Sequence, residues 1–248
     1  MSAEAAPFAA AADGTRRQAP AASRLYQEIA RRIEAMIREG DYREGDRLPS
    51  ERELAQRLGV SRPSTREAVI ALEVAGIVEV RTGSGIYVQI AGPSGSVRLR
   101  QFLAGDPGPG PYEALEVRRL VEGECALRAA TRIDASGLAE LRGLVLAMRD
   151  DPAPVPQRGV TADRAFHERI ADASGNSVLA AVVRELWDAQ ALPLWQRWMV
   201  RTRTAAMHLE RVEEHERIVE RLAARDGPGA CDAMQYHINQ VARRFARG

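Results

Sequence analysis

The most constraining feature of this chain is a run of closely spaced helix starts and stops between Leu48 and Val88. Ser50 offers an N-cap with Glu53 three residues on, the capping-box spacing, and opens a helix carrying Leu54, Ala55 and Leu58 before Gly59 stops it. Ser61 caps a second helix whose buried side is Ala68, Val69, Leu72 and Ala75, and Gly76 closes it. Two short helices about a tight Gly-containing turn make a helix-turn-helix. Two β-rich runs follow, Ile77 to Val80 and Ile86 to Val88, around Arg81-Thr82-Gly83-Ser84-Gly85, which reads as a hairpin or wing. Upstream, Leu25, Ile29, Ile33, Met36 and Ile37 line one helical face that Gly40 ends.

Such a unit reads double-stranded DNA by placing cationic and hydroxyl groups near the start of its second helix. Ser61, Arg62, Ser64, Thr65 and Arg66 crowd those first turns, and Arg62 and Arg66, four apart, project together. Arg52 is placed to hold the backbone, and Thr82 and Gly83 at the wing tip can approach the minor groove. A net charge of only +1 does not oppose this, because a local basic patch binds DNA on a neutral protein. Two recognition helices on a palindromic operator imply a homodimer on an inverted repeat.

With 248 residues there is room for a second core. Residues 1–22, rich in Ala and Pro without apolar period, read as a disordered arm, where Arg16 and Arg17 belong to a solvated tail. The DNA-binding domain is expected over residues 23–91 and a linker over 92–111, in which Asp106-Pro107-Gly108-Pro109-Gly110-Pro111 cannot sustain helix or strand. Residues 112–248 show helical periodicity in six segments: Tyr112–Thr131, Ala135–Arg149, Val160–Ala173, Ser177–Val200, Ala205–Ala224 and Ala230–Phe245. Pro193 should kink the fourth. The expected fold is therefore mainly α, a winged helix-turn-helix followed by an all-α antiparallel helical bundle.

Composition removes several functions. Lysine is absent, so neither a Schiff-base pyridoxal enzyme nor a P-loop is possible. Cys125 and Cys231 form no CxxC and read as buried thiols. No apolar run is long enough for a bilayer and the Ala-rich start lacks the order of a secretory signal, so a cytoplasmic protein without membrane contact is expected.

Within the bundle, four polar residues fall on apolar stripes. Asp163 and His167, at i and i+4, share the buried face of Phe166 and Ile170; His215 lies between Val212 and Ile218, and His237 between Met234 and Val241. A buried carboxylate costs several kcal/mol without compensation. Three imidazoles and a carboxylate turned inward from three helices would build an ion site with nitrogen and oxygen ligands. Zinc suits that donor set, and nickel and manganese are also compatible. His208, two turns before His215, is either a supporting residue or a surface one. Arg118 and Glu122 lie on the stripe of Leu115, Cys125 and Ala129, where Arg118 can bind an anion, or the two form a structural ion pair. Core packing accounts for at least two of Trp187, Trp195 and Trp198.

The stretches Leu48-Pro-Ser-Glu-Arg-Glu-Leu-Ala, Leu58-Gly-Val-Ser-Arg-Pro-Ser-Thr-Arg-Glu-Ala and Leu72-Glu-Val-Ala-Gly-Ile-Val resemble the winged helix of GntR-type bacterial regulators. Pro63 departs from the Thr often found there and removes a backbone N–H. The pieces Glu116-Val-Arg-Arg-Leu-Val-Glu, Asp163-Arg-Ala-Phe-His, Ser174-Gly-Asn, Glu214-His-Glu-Arg-Ile and Gln235-Tyr-His look like the FCD ligand-binding domain of the FadR subfamily. The resemblance implies operator contacts from the residues named above. It also implies a divalent metal at Asp163, His167, His215 and His237, with a carboxylate effector completing its coordination and reaching Arg118. A narrower similarity, through Arg24-Leu-Tyr-Gln-Glu-Ile-Ala, Gly83-Ser-Gly-Ile-Tyr-Val, Leu186-Trp and Pro193-Leu-Trp, is to hexuronate- and aldonate-responsive repressors, in which Trp198 would stack on a sugar acid. Two other functions fit the residues: a metal-dependent hydrolase fused to a DNA-binding module, for which no HExxH-like motif supplies a base, and a direct metal sensor.

Overall fold

The computed structural model describes residues 24–150, 157–200 and 205–247; the arm expected over 1–22 lies outside them. Helix α1 (Leu25–Met36) continues through a wider turn, Ile37–Asp41, where Gly40 takes the positive φ of 94° that ends it. Helix α2 (Glu51–Leu58) starts at the expected capping box: Glu53 N–H donates to Ser50 Oγ at 3.3 Å, and Ser50 N–H to the Glu53 carboxylate at 2.8 Å. Helix α3 (Arg62–Val74) is capped by Ser61, and Pro63 sits in its first turn, where a missing N–H removes no intrahelical bond. Strands β2 (Val78–Arg81) and β3 (Gly85–Val88) form the wing, with Val80 opposite Ile86. A third strand, β1 (Arg47–Leu48), pairs with β3 in the order β1-β3-β2; two residues are too short to show a period in sequence. Ile29, Ile33, Leu54, Leu72, Ile77 and Val88 make the core of this half.

The linker expected over residues 92–111 contains a helix, while residues 106–110 carry neither helix nor strand. Pro93–Ala104 form a helix, α4, which starts with proline in its first turn and buries Leu99 in the core just described. Burial of that side chain contributes about 1.5–3 kcal/mol, enough to offset the weak local preference of a Gly- and Ser-rich start. Ser96 Oγ–H donates to Glu34 at 2.5 Å, tying α4 to α1.

The second half consists of α5 (Pro111–Arg132), α6 (Ala135–Arg149), α7 (Gln157–Ala173), α8 (Ser177–Asp188), α9 (Pro193–Val200), α10 (Ala205–Ala223) and α11 (Gly227–Arg247). Helix α5 is central and touches α7, α8, α10 and α11. Asp134 caps α6 and Asn176 caps α8. The segment expected as one kinked helix over 177–200 is two helices joined by a 3₁₀ turn, Ala189–Ala191, because Leu192 is extended before Pro193. The last helix begins at Gly227 rather than Ala230, with Pro228 in its first turn.

The back of α3 rests on the bundle. Tyr26, Ile70 and Ala71 share a core with Trp195 and Trp198. Tyr112 N–H, in the first turn of α5, donates to Glu67 of α3 at 2.6 Å. Arg197 of α9 forms a two-pronged ion pair with Glu73 of α3, at 2.7 and 3.0 Å. Tyr26 hydroxyl donates to the Gly108 carbonyl at 2.9 Å. Among the described residues no helix is long and apolar enough to cross a membrane, and both cysteines are free.

Candidate metal centre and nucleic-acid interface

Asp163 and His167 come from α7, His215 from α10 and His237 from α11, and all four are buried. One ligand atom from each lies within 4.8 Å of the others. Asp163 Oδ1 is 3.1 Å from His215 Nε2 and 3.6 Å from His167 Nε2, and the two Nε2 atoms are 3.4 Å apart. A tetrahedron with bonds of about 2.0–2.1 Å has edges of about 3.3 Å, so these three atoms stand at the spacing of ligands about one small cation.

The hydrogen bonds around the cluster aim the imidazoles inward. His215 Nδ1–H donates to the Arg211 carbonyl at 2.7 Å, and His237 Nδ1–H to Glu214 at 2.9 Å. His167 Nδ1 lies 2.5 Å from Glu122 Oε2. With Nδ1 of His215 and His237 engaged, their Nε2 lone pairs face the cluster, and His167 Nε2, 3.4 Å from His215 Nε2, presents a third once an incoming cation displaces its proton. Asp163 Oδ1 is buried with no hydrogen-bond partner among the described residues, despite its two imidazole neighbours. An orphaned carboxylate oxygen facing nitrogen lone pairs is the chemistry of a coordination site, and the donor set fits a divalent ion.

The electrostatics agree. Burial would raise the Asp163 pKa, but Arg211 and the His167 and His215 contacts outweigh it and hold the carboxyl well below its ordinary range. Burial lowers His215 and, with its imidazole neighbours, lowers His237 far more, which keeps both neutral. For His167 burial is outweighed by Glu122 and Asp163, so its pKa rises and an incoming cation must displace that proton. Against burial, Arg118 and His167 hold Glu122 down to about 2. The supporting carboxylates are themselves anchored: Glu122 accepts from Arg118 at 2.6 and 3.3 Å, and Glu214 from Arg244 at 2.5 and 3.2 Å.

Arg118 is therefore at the cluster but committed on two nitrogens to Glu122, and its guanidinium covers the ring of Trp187 at 4.2 Å. Trp187 also lies against His167, with centroids 5.0 Å apart. Trp198, the tryptophan expected at the effector, is instead 1% exposed and packs edge-on against Tyr112 and Trp195. The break before Pro193 explains the exchange: α8 delivers Trp187 to the cluster, while α9 turns Trp198 toward α3. Sequence reasoning also missed Glu214, Arg211 and Arg244. Their only signal was position, Glu214 beside His215 and Arg211 one turn before it. His208 Nε2 lies 3.4 Å from the Arg149 carbonyl at the end of α6, away from a supporting role at the cluster.

On the DNA-reading surface, Arg52, Ser61, Arg62, Thr82 and Gly83 are exposed and Ser64 and Arg66 partly so. Arg66 Nε–H donates to Glu51 at 2.8 Å, which orients it. Thr65 is the exception among the expected contacts. It is completely buried, and its hydroxyl donates to the Ser61 carbonyl at 2.9 Å, because the fourth position of the helix turns toward the core.

A winged helix packed on a helical bundle with a buried ligand cluster is the architecture of a transcriptional regulator with an effector-binding domain. Residues 25–88 match the gntR family of bacterial regulatory proteins and residues 113–240 match the FCD domain. The chain belongs to the GntR family and carries an FCD domain. It is 33% identical over 232 residues to the Uxu operon transcriptional regulator of Escherichia coli (strain K12), covering 92% of this chain and 90% of that protein. Identity to the Exu regulon transcriptional regulator of the same strain is 34% over 226 residues, covering 88% and 83%. Among solved structures, Streptococcus agalactiae GntR is 28% identical with a TM-score of 0.43, covering 88% of this chain and 99% of that one.

Proposed function

We propose that this regulator is a homodimeric repressor whose effector is a sugar acid, a hexuronate or aldonate, bound at a divalent cation in the bundle. Residues 23–91 read an inverted-repeat operator through Arg52, Ser61, Arg62, Ser64, Arg66, Thr82 and Gly83, residues 92–111 connect, and residues 112–248 hold the effector. Asp163, His167, His215 and His237 hold the cation, for which zinc suits the donors and nickel and manganese are compatible. The cation supplies an electropositive anchor for the effector carboxylate. Trp187, packed against the Arg118 guanidinium and the His167 ring, holds both in place at the cation, and Arg118 keeps a remaining N–H for the effector. The single observation that carries this reading is the orphaned Asp163 Oδ1 facing two imidazole Nε2 atoms at 3.1 and 3.6 Å. The Uxu and Exu names of the relatives support a sugar acid.

Induction requires effector occupancy to reach α3. Trp187 touches His167 and leads through the 3₁₀ turn to α9, whose Arg197 grips Glu73 of α3. A coupling of about 1–3 kcal/mol gives a five- to hundredfold change in operator affinity. The test is a thermal-shift screen of hexuronates and aldonates with and without chelator, followed by gel shift. Stabilisation only in the presence of metal, with weakened operator binding, is expected. Stabilisation indifferent to chelator would refute the metal-bound effector, and loss of DNA binding on metal addition alone would make the protein a metal sensor.

A further inference from the structure

Three buried or partly buried carboxylates surround the cluster, each with an arginine: Glu122 with Arg118, Glu214 with Arg244, and Asp163 with Arg211. The charges of these pairs cancel. A divalent cation, even after displacing the His167 proton, would therefore leave uncompensated positive charge in a buried site, which is costly unless an anion accompanies it. The arginine that receives that anion should be reachable and not already spent.

Arg118 donates Nε and Nη2 to Glu122 and its side chain is only 4% exposed. Arg244 bonds both Glu214 and Glu210. Arg211 differs from both. Its contact with Asp163 is 3.7 Å, too long for a hydrogen bond, and its Nε is buried with no partner among the described residues. Its side chain is 14% exposed, so it lies nearer solvent than Arg118. Arg211 and His215 are four apart on α10 and leave it on the same side.

We propose that Arg211 is the anion anchor of this site, donating to the carboxylate of the ligand that joins the cation held by Asp163, His167, His215 and His237. This rests on the cation-and-carboxylate reading above and assigns the fixing of the carboxylate to a residue other than Arg118. An anion there gives the idle Nε–H an acceptor and cancels part of the cation's charge. Arg118 then serves to hold Glu122, and through it the His167 ring.

The substitution that tests this is clean for a structural reason. His215 is fixed by the backbone carbonyl of Arg211, so Arg211→Gln leaves that bond intact. Wild type, Arg211→Gln and Arg211→Lys would be loaded with Zn²⁺, their metal affinity measured by competition with a colorimetric chelator, and then titrated calorimetrically with D-glucuronate, D-galacturonate and acetate. In Arg211→Gln the carboxylate affinity should fall roughly 10- to 100-fold, the loss of one charge-assisted contact, while metal affinity stays within about threefold. Arg211→Lys should recover part of the loss, keeping charge without the planar fork. Carboxylate affinity equal to wild type in Arg211→Gln would overturn the assignment. So would a loss of Zn²⁺ affinity as large as the loss of carboxylate affinity, since Arg211 would then only balance Asp163. Acetate binding without hexuronate binding would sink the sugar-acid reading and leave Arg211 to be judged on acetate; no carboxylate binding at all to the Zn²⁺-loaded wild type sinks both.

Discussion

Glu67 offers a quantitative test of how the recognition helix is seated. It lies on α3, 2% exposed, and accepts the Tyr112 N–H at the start of α5. A Cβ at Gly110 would stand 2.7 Å from its carboxylate, so the junction leaves no room for a solvating water on that side. Burial, with smaller contributions from Glu113 and Glu116, raises its pKa from 4.5 to about 8, against the opposing Tyr112 hydrogen bond. The unfolded chain releases this proton near 4.5 and the folded chain near 8, so between those values the folded state binds more protons and stability falls as pH rises. At about 1.4 kcal/mol per unit, this group alone removes about 4 kcal/mol between pH 5 and pH 9, most of it by pH 8. Glu67→Gln keeps an acceptor for Tyr112 N–H and cannot ionise. Urea unfolding followed by tryptophan fluorescence reports this region, because Trp195 and Trp198 share a core with Ile70 of α3. The variant should be close to wild type at pH 5 and more stable by several kcal/mol at pH 9. Parallel pH dependences for the two proteins would show that the carboxylate is solvated or otherwise compensated, and the argument from burial would be wrong.

Chelation should lower the melting temperature: metal at a hundred times its Kd contributes about 2.7 kcal/mol, or roughly 5–10 °C for a chain of this size, and His215→Ala should abolish the difference between chelated and loaded protein in a thermal melt. Arg62→Ala should weaken operator binding by about 1–3 kcal/mol in fluorescence anisotropy, whereas Thr65→Val should leave it unchanged and instead lower stability by about 0.5–1.5 kcal/mol through loss of the bond to Ser61. Trp187→Phe should weaken sugar-acid binding in calorimetry while Trp198→Phe affects only stability; the reverse order would restore Trp198 to the effector site.

Much of the fold was legible because its signals are local. The Ser50 and Glu53 box, the Ser61 cap and the left-handed turn at Gly59 involve neighbours within four residues, and each element begins where those residues stand. The four ligand residues were legible for a related reason. Each interrupts an apolar stripe, and a polar group on a buried face needs a partner wherever the helix ends up.

Helix α4 was missed because its support comes from elsewhere: Leu99 is buried in the core formed with α1, some sixty residues earlier, and its apolar period, Leu99, Phe102 and Leu103, spans little more than one turn beside a Pro- and Gly-rich stretch. Thr65 could not be told from Ser64, because one hundred degrees of helix rotation separate the groove from the core and only the docking of α3 says which way it turns.

Alone, then, the sequence determined where the capped helices α2, α3, α6 and α8 start and which polar groups must turn inward, because capping, periodicity and burial cost act over a few residues. Tertiary structure decided which tryptophan meets the cluster, that Glu122 and Glu214 steady its imidazoles, and that α3 leans on α5 and α9. Those contacts join residues as far apart as Glu73 and Arg197, and their geometry depends on how whole helices cross, which no local pattern encodes.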